Sequence, residues 1–234
     1  MTVSLARRTT IGIAAVAASA GLVFAAVAPV SATAGSTTTS YKNSCWAGSP
    51  GNIGQLENMS VTVNHTGVAP AGSPNTYTIQ FGPQVTPSVS GVSGWTFDNL
   101  SEIQYKLSYD AATFTSASKT SLGSGLSSSS PVPTVTASGG IITLGKFKVD
   151  PSTTFNAPQI TVVTSSPVFD VKLSTAGTAA EFGNFANNYF SFKSNGRIIG
   201  GLFPATANTS CIPADAIGTV PSYPTLNTGA GTLH

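Results

Sequence analysis

Apolar and polar residues alternate along much of this chain, and no stretch carries the three-to-four-residue spacing of an amphipathic helix. Tyr77-Thr78-Ile79-Gln80-Phe81 places its apolar side chains on one face. Ile103-Gln104-Tyr105-Lys106-Leu107-Ser108-Tyr109 repeats the pattern over a longer run, and Phe169-Asp170-Val171-Lys172-Leu173 repeats it again. Val61–Val63, Val132–Thr136, Ile141–Val149 and Ile160–Val163 supply further candidate strands. Asn195-Gly196 is the strongest turn signal, because both residues tolerate the positive φ of a two-residue hairpin. It predicts a hairpin between Tyr189–Lys193 and Arg197–Phe203. Short alternating runs separated by Gly, Pro, Ser and Asn predict an all-β protein, an antiparallel β-sandwich of immunoglobulin-like or related type. Pro83, Pro87, Pro131, Pro133, Pro158 and Pro167 flank these runs, where missing N–H groups guard sheet edges.

The N-terminal segment departs from this pattern. Arg7 and Arg8 precede an Ala-rich apolar run from Ile11 to Val30, and Ala32-Thr33-Ala34 follows. That layout predicts a secretory signal peptide over residues 1–34. Thr10 stands two places after the arginine pair, where twin-arginine signals carry a bulky residue, so general secretion is expected. Cys45 and Cys211 are the only cysteines, and in an exported chain they predict one disulfide. Their bond would enclose nearly all of the mature chain, which predicts a single domain over residues 35–212. The Ser/Gly/Pro-rich stretch 116–133 is expected as a surface loop within it, and 213–234 as a flexible tail.

Composition narrows the partners. The chain has 234 residues, of which 10 are Lys or Arg and 8 are Asp or Glu. Both residues that make up the net charge of +2 lie in the signal, so the mature chain is formally neutral. A neutral chain without a basic stripe is not built to bind nucleic acid. Ser and Thr take the outward strand positions that Lys and Glu often hold.

Candidate chemistry is sparse. His65 and the terminal His234 are the histidines, and no G-x-S-x-G motif occurs. Gly91-Val92-Ser93-Gly94 lacks the spacing. His65 reads as a turn residue at a strand end. Glu57, Glu102 and Glu181 form no recognisable acid/base pair, and Asp98, Glu102 and Asp110 are too widely spaced for a calcium loop. No metal or cofactor is expected. The sequons at Asn58, Asn64, Asn99 and Asn208 acquire meaning only in a glycosylating host. Trp46, Trp95 and Tyr189 are candidate rings for stacking on a sugar, with Phe182, Phe185, Phe190 and Phe192 near the last of them.

The Ala-rich signal, Tyr41 to Trp46 soon after it, the Ser/Thr-rich strands and Asn208-Thr209-Ser210-Cys211 together resemble secreted β-sandwich proteins of actinobacterial type. The resemblance implies a secreted or cell-envelope location and assigns no catalytic residue. The function expected is non-catalytic: a structural or surface-binding protein whose partner is a cell-wall or surface glycan or another envelope protein. A carbohydrate-binding module and a pore-forming envelope barrel subunit are the alternatives. Membrane contact is expected only through an uncleaved signal or such a pore.

Overall fold

The computed structural model describes residues 34–50, 53–67, 69–90, 95–167, 171–173 and 189–213. Residues 1–33, which carry most of the expected signal peptide, Gly91–Gly94, Phe169, Asp170, Glu181, Phe182, Phe185 and the expected tail from 214 lie outside them.

The described residues form thirteen strands: β1 (Gly35–Ala47), β2 (Ile53–His65), β3 (Asn75–Phe81), β4 (Gln84–Val85), β5 (Thr96–Ser108), β6 (Phe114–Lys119), β7 (Thr134–Ser138), β8 (Ile141–Val149), β9 (Thr154–Phe155), β10 (Ile160–Thr164), β11 (Lys172–Leu173), β12 (Phe190–Ile198) and β13 (Phe203–Pro213). One large antiparallel sheet runs β6-β10-β3-β2-β1-β13-β12-β5-β8-β7, with β11 added to β5, and β4 and β9 form a small second sheet. The ends of the large sheet turn toward one another, so that it is nearly barrel-shaped. At that seam Lys119 Nζ donates to the Pro133 carbonyl at 2.8 Å.

Strand alternation sorts side chains between the interior and the outer surface. Tyr77, Ile79 and Phe81 of β3, and Ile103, Tyr105 and Leu107 of β5, are buried, as their spacing predicts. The two halves of the sheet meet across an aromatic core. Phe81 stacks on Tyr105 at 4.2 Å, and Tyr105 stacks on Phe190 at 4.5 Å. The Tyr41 and Tyr189 hydroxyls share a buried hydrogen bond of 2.6 Å. Burial pushes the phenols of Tyr41, Tyr105 and Tyr189 upward, so all three stay neutral in the core.

The disulfide forms between Cys45 of β1 and Cys211 of β13, which are directly paired in register. It therefore joins neighbouring strands, the first and the last of the sheet's sequence order. Its surroundings are polar. Asn43, Ser44, Thr209 and Ser210 are buried, and their side-chain polar atoms have no hydrogen-bond partner among the described residues.

Two sequence expectations are corrected. Asn195-Gly196 lies inside β12, paired with Thr206 and Ala205, and is not the hairpin turn. The turn occupies Ile199–Leu202, where Gly200 and Gly201 take φ of 64° and 88°. Gly196 serves close packing instead, since a Cβ there would stand 2.2 Å from both the Thr96 carbonyl and the Trp95 indole nitrogen. The stretch 116–133 is not all loop, because Ser116–Lys119 complete β6 and pair with β10.

Tyr41→Phe would leave the Tyr189 hydroxyl buried and unpartnered, at a cost of about 1–3 kcal/mol. Tyr41→Phe with Tyr189→Phe should cost less than the sum of the single changes, read from denaturant unfolding. Replacing Cys45 and Cys211 together by Ser should cost about 2–5 kcal/mol, and reductant should lower the melting temperature of the native chain but not of that variant.

Candidate functional site

Among the described residues, the charged side chains with ion-pair partners gather on the outer face of β5, β8 and β12. The register of β5 against β8 shifts between Leu100 and Ile103, and Glu102 there has φ of 50°. This bulge re-aims Glu102 between two neighbouring strands. Its carboxylate accepts from Lys146 Nζ of β8 at 2.9 Å and from Lys193 Nζ of β12. Glu102 is therefore the centre of a partly solvated charge triad within the strand. The hydrogen bonds from Lys193 and then Lys146 hold its carboxyl below the ordinary glutamate range. Such a carboxylate is suited to structural pairing, whereas a general acid needs its pKa raised.

The same face continues as an uncharged ladder. Asn195 Nδ2 donates to Asn99 Oδ1 and to Ser101 Oγ, both at 2.8 Å. Thr206 Oγ1 donates to Asn195 Oδ1 at 2.9 Å, and Gln104 Nε2 to Ser191 Oγ at 3.0 Å. Arg197 Nε reaches Asp98 Oδ2 at 3.4 Å. These bonds tie three strands together through their outward side chains, where Asn, Ser and Thr replace the usual charges.

The candidate stacking rings are dispersed. Tyr189 is fully buried and bonded to Tyr41, which corrects its reading as a ligand-stacking ring. Trp46 of β1 is half-buried, and alternation turns it to the face opposite Cys45. Trp95 is half-buried and packs against the core beside Gly196. Phe190 belongs to the core and Phe192 packs against it. His65 ends β2 as expected, but it is half-buried against Gly35 and Tyr77 rather than exposed. Glu57 lies exposed on β2, far in the sheet order from Glu102 on β5. Among the described residues, no three His, Cys, Asp or Glu side chains come together as a metal site.

Two surface features were not legible in the alternation. The first is an apolar rim. Strand directions place the β1–β2, β3–β5, β6–β7 and β12–β13 connections at one end of the sheet. Every exposed large hydrophobic side chain among the described residues belongs to that end: Ile53, Leu56, Val85, Val89, Leu122, Val132, Ile199, Leu202 and Phe203. The described connections at the opposite end consist of small and polar residues, Pro, Gly, the half-buried Tyr109 and the buried Val171. The second is an open groove of about 560 Å³, lined in part by Ser40, Lys42, Asn58, Ser60, Pro83 and Gln84. It opens where β3 leaves β2 at Gly82-Pro83.

Glu102→Gln should lower stability by about 1 kcal/mol or less, because the triad is partly solvated. The folded pKa of Glu102 lies below the unfolded one, so its contribution is present above the ordinary glutamate range. It is lost as pH falls through the folded value. Unfolding curves of native and Glu102→Gln proteins should differ near neutrality and converge in acid.

No protein-family description, curated protein or solved structure matches this chain.

Proposed function

We propose that this is a secreted or envelope-associated, non-catalytic β-protein that works by surface contact, with the apolar rim as its contact face. The observation that carries this reading is the one-ended distribution of exposed hydrophobic side chains. Isolated apolar residues on a surface need no explanation, but a set confined to one end marks a place where something else is buried. The β12–β13 hairpin tip presents Ile199, Leu202 and Phe203 at 66%, 73% and 55% exposure, the most concentrated part of the rim. The near-absence of charge excludes long-range steering, so the contact is made by apolar and backbone groups. The disulfide suits an oxidising, extracellular compartment. We read the curled sheet as the sandwich expected from the sequence, its two halves facing one another across the aromatic core and joined at β1–β13.

The glycan-binding alternative keeps partial support from the half-buried rings of Trp46 and Trp95. The pore alternative is weighed down by the distribution of side chains. Membrane barrels face lipid with apolar residues and line the lumen with polar ones. Here Tyr77, Tyr105, Phe81 and Phe147 fill the interior while Thr, Ser and Lys face outward.

The test is the combined substitution Ile199→Ser, Leu202→Ser, Phe203→Ser in the host. All three side chains are exposed, so the melting temperature should stay within a few degrees of the native value. Envelope association in cell fractionation should fall, with the protein moving to the medium. An unchanged distribution between wall, membrane and medium would remove this reading.

A further inference from the structure

We propose that the outer edge of β2 is a dimer interface, through which two copies of the chain join by antiparallel β2–β2 pairing. β2 pairs with β1 along its whole length, from Ile53 to His65. On its other side it pairs with β3 only from Val61 to His65, and the last bond of that ladder runs from Gly82 N–H to the Ser60 carbonyl at 2.8 Å. Beyond it, Pro83 ends the approach and β3 gives way to β4.

Because Ser60 turns its carbonyl to the β3 side, strand alternation turns the N–H and C=O groups of Asn58, Leu56 and Gly54 the same way. Among the described residues no strand lies there to receive them. Gln55, Leu56, Glu57 and Asn58 are exposed along this segment. The groove beside Asn58 and Ser60 leaves room for an incoming backbone.

Exposed edges are ordinarily guarded by proline, lysine or a bulge. The seam between β6 and β7 follows that rule, with Pro131 and Pro133 ahead of β7 and Lys119 bonded across it. Ile53–Ser60 contains no proline, no lysine and no break in its register with β1.

The occupant is a second copy because the edge is complementary to itself. A twofold axis through Leu56 makes Leu56 exchange both backbone bonds with Leu56 of the other copy, and Gly54 with Asn58 of the other copy. All the outward-facing residues are then satisfied. The exposed Leu56 side chains meet, and Gln55 stands opposite Glu57, so an amide donates to each carboxylate. Sliding the pairing until Leu56 faces Asn58 sets Glu57 against Glu57, which like-charge repulsion opposes. This inference does not rest on the rim hairpin or on what that hairpin contacts.

Site-directed crosslinking tests the register. Residues opposite one another in a hydrogen-bonded pair have Cα atoms about 5.5 Å apart, within disulfide reach. Under mild oxidation Leu56→Cys should give a covalent dimer, while Glu57→Cys, which faces Gln55, should not. Sedimentation of the native protein should show a dimer, and Leu56→Lys should weaken it by roughly tenfold or more while leaving the melting temperature of the monomer, read at concentrations where both proteins are dissociated, unchanged. A native chain that is monomeric at all concentrations, equal crosslinking at positions 56 and 57, or an unweakened Leu56→Lys dimer would overturn the proposal.

Discussion

The pairing of β1 with β13 is the constraint on which the rest of the structure depends. The sheet consists of two runs, β6-β10-β3-β2-β1 and β13-β12-β5-β8-β7, and within the hydrogen-bonded order they meet only there. That ladder is short, from Asn43–Ala47 to Thr209–Pro213. It brings together strands from opposite ends of the domain, which carries a large loop-closure cost. Its side chains do little to offset that cost, because Asn43, Ser44, Thr209 and Ser210 are buried without hydrogen-bond partners among the described residues. The Cys45–Cys211 bond at the centre of the junction supplies what noncovalent packing there does not. Once the junction holds, Phe81 on one run and Tyr105 on the other are brought into stacking contact, and the core can close.

The outer surface follows a different logic from that of a charge-rich domain. Cross-strand support on β5, β8, β12 and β13 comes from amides and hydroxyls, with Glu102 as its one densely charged point. The bulge that aims Glu102 holds a non-glycine residue in the left-handed region, at a cost on the order of 1 kcal/mol. The two ammonium contacts offset part of that strain. Among the described residues, the exposed large apolar side chains lie at one end of the sheet.

Much of the fold was legible in the chain because alternation reports directly which face of a strand is buried. β3, β8 and β10 fall within a residue or two of where the pattern places them. β5 is longer than its pattern, since Glu102 breaks the alternation and hides the strand's first half. Asn195-Gly196 misled because asparagine and glycine suit a turn and also suit crowded strand positions. Here the amide joins a side-chain ladder and the glycine admits Trp95. Tyr189 could not be assigned from its neighbours, because its burial is decided by Tyr41, distant in sequence and opposite it in the core.

The sequence by itself determined the all-β class, the disulfide and the scarcity of charge. These depend on residue type and local spacing, which a linear reading contains. The tertiary structure alone decided that the strands join into one large curled sheet, that Glu102 sits between two lysines and, among the described residues, that the exposed large apolar side chains share one end and part of β2 has an unpaired edge. Each of these depends on which distant strands become neighbours. That choice is made by the balance of core packing, junction strain and covalent closure over the whole chain, and no local pattern encodes it.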